Sequence, residues 1–272
     1  MVKKLESFIK RFYLLIIFVF LYTPIVTLMI FSFNDSKSTA KWNGFTLRWY
    51  SELFQNTRIM DALKYTLIIA VLASIIATII GTLAAIGIHR MKGVPKKTLL
   101  NINNLPVLNP DIVTGISLMS LFIFIFPILN KIGINAQFGF GTMLLAHITF
   151  NIPYVILSVL PKLKQLPHNI TEAALDLGAT PGYAMWKIIL PQIKPGIFAG
   201  LLMAFTMSID DFVISFFAAG NGVSNLSIEI YSMTRRGISP EINALSTIMF
   251  VVVLTLLILA NVNGDKKTVI SN

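Results

Sequence analysis

Two adjacent carboxylates, Asp210 and Asp211, stand in an otherwise apolar run, flanked by Met207, Ile209, Phe212 and Val213. An ionised carboxylate near the middle of a bilayer costs roughly 2.5–3.5 kcal/mol on insertion scales, so neither is expected to face lipid. In a water-filled path such groups replace the hydration of a passing cation and reject anions. The other reading is a hydrogen-bonded packing pair between helices. Counted from Pro195, the pair lies about 22 Å along a helix at 1.5 Å per residue, toward the outer half of a membrane. Successive helical residues point about 100° apart, so one of the two is expected to face a path and the other to bond a neighbour. Asn109 as N-cap, Pro110 at the first helical position and Asp111 in the first turn are expected to open a helix, where an acid suits the helix dipole; Asp111 can also line a path. Trp49 can stack on an amine or sit in an interfacial belt. His147 has no second histidine or carboxylate at ligand spacing, which favours packing with a hydrogen bond. Glu229, Arg235, Arg236 and Glu241 fall in a last outer loop, as a docking surface or a solvated one.

A second pattern lies nearer the middle of the chain: Glu172-Ala173-Ala174, then Gly178, then Ile188, then Leu190-Pro191. Pro167 ends a preceding helix and Asn169 can cap a new one, with Glu172 three residues on completing a capping box. Ala173 and Ala174 keep that helix thin. Gly178 can take positive φ and end it. Thr180-Pro181 begins a second short helix, which Pro191 is expected to stop. Helix, glycine corner, helix makes a stiff knob; two ordinary amphipathic helices are the plainer alternative.

The elements that must position these residues are membrane spans. The chain has 272 residues, 55% of them hydrophobic and only 12% charged, with mean hydropathy +0.76, unlike a soluble globular domain. Runs of about 20 apolar residues mark crossings, and six are expected: 12–33, 63–88, 108–129, 141–160, 196–218 and 242–262. The first is too long for a signal-peptide core and lacks a cleavage pattern, so it is retained. Residues 46–54 show helical spacing of Leu47, Tyr50, Leu53 and Phe54, a short helix at the outer surface. The net charge is +10 with no cysteine. Fourteen lysines and arginines fall in the segments holding the termini, in the segment of Arg90, Lys92, Lys96 and Lys97, and in the 161–194 loop, against seven on the other side, with Lys64 at a span mouth. That is the positive-inside bias. Both termini and the 161–194 loop are expected in the cytoplasm, and the basic balance is topological, with lipid and not nucleic acid as the partner. The reading is an all-α integral membrane protein, one transmembrane domain over 1–272. There is no G-x-x-x-x-G-K-[ST] phosphate cradle, no H-E-x-x-H and no paired-aspartate metal spacing, so no catalytic or metal site is assigned.

The E-A-A spacing resembles the motif of ABC importer permease subunits, whose loop forms a coupling helix seated in a cytoplasmic ATPase. Asn109-Pro-Asp-Ile-Val113, His147-Ile-Thr-Phe150, Asp176-Leu-Gly-Ala179, Ser208-Ile-Asp-Asp211, Ile230-Tyr-Ser-Met233 and Gly237–Leu245 resemble the PotC type of spermidine/putrescine permease over nearly the whole chain. Departures fall in 127–140 and the tail. The resemblance implies a type I importer permease fold in a bacterial inner membrane. It implies a heterodimer with a second permease subunit, an ATPase dimer carrying ATP and Mg inside, and a polyamine-binding protein outside. It assigns Glu172, Ala173, Ala174, Gly178, Ile188, Leu190 and Pro191 to ATPase coupling. A permease for another small cationic solute is the nearest alternative; a secondary transporter with a proton-carrying aspartate is the rival class.

Overall fold

Long apolar runs without turn residues satisfy their own backbone in a membrane only as helices, and the chain folds accordingly. The computed structural model describes residues 2–36, 41–167, 169–220, 222–236 and 239–269. Lys37 and the Gly237-Ile238 pair lie outside the described residues, as do the side chains of Lys3, Lys4, Arg236, Lys266 and Lys267. Twelve α-helices are described: α1 (Val2–Phe31), α2 (Arg48–Gln55), α3 (Thr57–Arg90), α4 (Gly93–Leu108), α5 (Asp111–Lys131), α6 (Phe140–Lys164), α7 (Ile170–Asp176), α8 (Pro181–Tyr183), α9 (Leu190–Asp210), α10 (Val213–Ala218), α11 (Leu226–Arg236) and α12 (Pro240–Val269). A π-helical turn, Ala184–Ile189, joins α8 to α9. The one bridge among the described residues pairs Asn34 with Phe45. Five stretches are long and apolar enough to cross a membrane: Lys10–Phe31, Thr57–Arg90, Asp111–Lys131, Phe140–Lys164 and Pro181–Asp210. The sixth expected span falls within α12, whose apolar part among the described side chains is Pro240–Val252.

Contacts divide the chain into two compact units. In the unit Asp61–Glu229, α6 is the central helix, packed by α3 on one side and α9 on another. Ala77, Ala85 and Ile88 of α3 meet Val155, Ile156, Val159 and Leu163 of α6 and Ile193 and Ala204 of α9. Small residues let the backbones approach where lipid offers no hydrophobic contrast. At Gly81 the fit is tight: a Cβ there would stand 2.8 Å from Val155 Cβ and 3.2 Å from the Ile152 carbonyl oxygen. A second cluster joins Ile69 of α3, Phe122 of α5, Met143, Ala146 and Phe150 of α6, and Ile214 and Ala218 of α10.

In the unit built from Met1–Met60 and Ile230–Asn272, α2 packs on α12 and α1 runs along α12. The short helix exists, but its buried residues are Trp49 and Leu53, while Leu47 and Phe54 are exposed. Trp49 Nε1 donates to the Asn34 carbonyl at 2.8 Å. Asn34 ties down the loop from both ends of its amide, donating to the Lys41 carbonyl at 2.8 Å and accepting from Asn43 N at 2.9 Å. Glu241 is not loose either: it accepts from Asn56 Nδ2 at 2.7 Å.

The region 93–108 is a helix, α4. Three local expectations are corrected. Asn109 does not cap α5; it ends α4 in extended conformation, as the residue before a proline is pushed to be, and Pro110 brings no acceptor. Asn169 makes no side-chain cap bond, because its φ of −101° and ψ of 8° depart from the extended backbone of an N-cap. Glu172 is left exposed. Pro191 does not stop a helix: α8, the π turn and α9 run on as Pro181–Asp210. The missing N–H falls in the first turn of α9, just past the π segment, where a proline is tolerated. Two expectations hold: Gly178 ends α7 with φ +85°, and the Thr180 hydroxyl accepts from Tyr183 N at 3.3 Å to start α8.

Gly81→Ala and Gly87→Ala separate packing from helix propensity, which favours alanine at both sites by about 1 kcal/mol. A Cβ at Gly87 meets nothing within 4 Å. Thermal unfolding of the purified permease is expected to show Gly81→Ala destabilised by about 1–3 kcal/mol and Gly87→Ala undiminished.

Candidate functional site

The fifth span is not one helix. α9 ends at Asp210, Asp211 turns out with φ −64° and ψ 122°, and α10 begins two residues later. No glycine or proline stands at the break. The Asp211 carboxylate makes it, accepting from Ile214 N at 3.1 Å and Ser215 N at 2.7 Å. A carboxylate at the start of α10 satisfies N–H groups that have no helical partner and meets the positive end of the dipole.

Buried polar side chains hold the break on its inner side. Asn225 Nδ2 donates to the Asp211 carbonyl at 3.0 Å and to Ser215 Oγ at 2.7 Å. His147 Nε2 lies 2.9 Å from Ser215 Oγ and 3.7 Å from Asp211 Oδ2. One turn below, Asn151 Nδ2 donates to Ser208 Oγ at 2.7 Å, pinning α6 to the end of α9. His147 is thus a packed, hydrogen-bonded residue, as its isolation in sequence implied; the fold brings it a carboxylate from 64 residues away.

Asp210 points elsewhere. Its side chain is exposed and, among the described residues, makes no hydrogen bond or ion pair to another residue. Its carbonyl accepts from Ser227 Oγ at 3.3 Å. Asp111, also exposed, stands at a second interruption, the Asn109–Pro110 junction between α4 and α5. The two interruptions meet: at Gly115, one turn past Asp111, a Cβ would stand 2.7 Å from the Phe217 ring and 3.4 Å from the Val213 carbonyl oxygen. Asp111 and Asp210 lie within electrostatic reach of each other, and the Tyr154 hydroxyl lies within reach of Asp111. Tyr154 is partly exposed on α6, with its ring 5.3 Å from that of Phe150 in an edge-to-face pair. The result is a patch of two open carboxylates and a tyrosine, which suits a cation.

Of the residues named from sequence, the fold brings together Asp210, Asp211 and Asp111. Trp49 does not join them. It is 2% exposed, inside the other unit, with the Arg48 guanidinium 4.4 Å over its ring, so in this conformation it offers no face to an amine. Glu229 is buried in α11 and is not part of a solvated loop. Arg235 lies over the Tyr231 ring at 5.2 Å.

In the 161–194 loop, Ala174 is buried, Ala173 exposed, and Ile188 and Leu190 half-buried, while Pro191 is exposed. α7 packs on the π turn. Exposed apolar residues crown it: Leu177 at 90%, Trp186 at 69% and Tyr183. Sequence reading did not single these out, nor Ser215, Asn225, Asn151 and Tyr154. The available signal for Asn225 was its place as a helix-capping residue before Leu226-Ser-Ile-Glu; nothing local linked it to Asp211.

Residues 77–264 match the family model described as the binding-protein-dependent transport system inner membrane component. The chain is 38% identical over 252 residues to the spermidine/putrescine transport system permease protein PotC of Escherichia coli K12, covering 93% of this chain and 92% of that protein. It is 41% identical over 239 residues to the putrescine transport system permease protein PotI of the same organism, covering 87% and 83%. Its fold is similar to a chain of a bacterial ABC transporter involved in the import of the acidic polysaccharide alginate, with TM-score 0.70 over 97% of this chain and 99% of that one at 20% identity. The architecture is that of a type I ABC importer permease. By sequence, the chain belongs to the binding-protein-dependent transport system inner membrane component family.

Proposed function

We propose that this chain is a permease subunit that lines, with a second related permease subunit, the path of a polyamine into the cell. The observation that carries the reading is the pair of open carboxylates, Asp210 and Asp111, each at a helix interruption and within electrostatic reach of the other. Interrupted helices are how transporters place polar groups at membrane depth. Separate carboxylates match separate ammonium groups on a linear cation, and the Tyr154 ring suits the methylene stretch between them. Asp211 is a structural member of the pair. The polyamine names of the two relatives support the same substrate class. Fold alone does not select it, since the structural neighbour is described as importing an acidic polymer.

In this reading both termini and the 161–194 loop are cytoplasmic, and α7 with the π turn docks on an ATPase dimer that binds the ATP and Mg. The apolar crown of Leu177, Tyr183 and Trp186 supports a protein partner there. A binding protein delivers substrate from outside. An inside-negative potential favours entry of a trivalent cation by about 7 kcal/mol per 100 mV, so ATP serves capture from dilute supply and sealing between turnovers. A permease for another small cation uses the same carboxylates, and substrate competition separates the two.

The test is spermidine and putrescine uptake in vesicles carrying the complete complex. Asp210→Asn is expected to lower uptake about tenfold or more, the loss of one charge-assisted contact, at normal protein level. Asp211→Asn keeps a capping group, because asparagine caps as well as aspartate, and is expected to retain assembly. Asp211→Ala removes the cap and is expected to lower the amount of assembled complex. ATP-dependent uptake indifferent to Asp210→Asn moves the binding site elsewhere. No polyamine uptake by the wild-type complex removes the substrate assignment.

A further inference from the structure

Asn225 is 2% exposed, and both ends of its amide are engaged. One amide nitrogen spans the Asp211 carbonyl and Ser215 Oγ, and the amide oxygen accepts from Ile228 N at 2.9 Å, capping α11. Beside it, Leu226 N donates to Thr66 Oγ1 at 2.8 Å, which fixes the start of α11 to α3. Ser227 Oγ, two residues after Asn225, reaches the Asp210 carbonyl. The last carbonyls of a helix have no partner within it, and here the two at the foot of the break are taken from one point, the first residues of α11.

We infer that Asn225 is a positioning residue for Asp210: it brackets the Asp211 peptide to α10 and to α11, and so fixes the turn from which Asp210 faces the open side. The inference rests on reading Asp210 as a carboxylate that contacts the cation. A break held only by the Asp211 carboxylate would secure the start of α10 but leave the exit from α9 free to rotate. Asn225 supplies the missing constraint, from an element that follows the span in sequence. It also ties the orientation of Asp210 to the start of α11, so that movement of α11 is felt at the carboxylate. Asn225 touches no substrate in this arrangement and acts through the backbone it holds.

The chain has no cysteine, so Asp210→Cys introduces a single thiol whose modification by a small charged methanethiosulfonate reports how that position faces the open side. In the complete complex in lipid nanodiscs, Asn225→Ala is expected to change the labelling rate of Asp210→Cys by about fivefold or more, the scale of one lost net hydrogen bond. In the background with Asp210 intact, the apparent KM for spermidine is expected to rise about tenfold, with maximal uptake and ATP turnover retained. Asn225→Ser keeps a cap for Ile228 and a donor for the Asp211 carbonyl, and is expected to restore both values. Ser215→Ala removes one strut without altering Asp211 and is expected to shift both measures more weakly in the same direction; it decides the matter if Asn225→Ala does not assemble. Labelling rate and KM within twofold of wild type in the assembled variants overturn the inference. A shift in labelling in a complex that takes up no polyamine leaves the positioning role standing and removes the substrate reading.

Discussion

The Asp211 carboxylate on the N–H groups of Ile214 and Ser215 is the interaction on which the site depends. Inside a bilayer no water is at hand to satisfy a freed backbone group, so a span can be interrupted only where side chains replace the lost helical bonds. Asp211 does this for the start of α10, and Asn225 and Ser227 do it for the end of α9. With those groups satisfied, the chain can leave the helix at Asp210 and place that carboxylate on the open side without exposing orphan amides to hydrocarbon. The burial of His147, Ser215, Asn151 and Ser208 follows from the same requirement, because a polar hinge must be enclosed by its own partners.

Much of the fold was legible in the sequence because hydrophobic length reports directly on the membrane. The spans, the glycine corner at Gly178 and the start at Thr180 come from composition and local turn chemistry. What was not legible depended on partners distant in sequence. Asp210 and Asp211 look equivalent in a continuous helix; only the contacts of Asp211 with α10, Asn225 and His147 separate a cap from an open acid. Trp49 reads as a belt residue or a cation platform until the Asn34 carbonyl claims its N–H and Arg48 covers its ring. Pro191 reads as a stop until a widened turn placed just before it absorbs the missing bond. In each case a local propensity was overruled by a nonlocal hydrogen bond or by a change of helical pitch.

The packing around α6 separates two tasks. Toward the C-terminal end of α6, small residues and branched aliphatics make a close, dry seam with α3 and α9. Farther along, the same helix carries His147, Asn151, Phe150 and Tyr154, which meet the interrupted elements. One half therefore holds the helices in register while the other tolerates irregular backbone, and Gly81 and Asn151 mark the two regimes.

The unbroken run from Pro181 to Asp210 has a mechanical consequence. From Leu190 upward it is a rod about 30 Å long, with its foot in the loop that bears Gly178 and its head at the acidic patch. A tilt of about 10° at the foot sweeps the head through roughly 5 Å, close to the pitch of one helical turn. The π turn sits at the fulcrum, where a wider coil can change pitch by a single hydrogen-bond step. A small tilt of the rod at the loop would reach Asp210 as a displacement on the scale of an ammonium group.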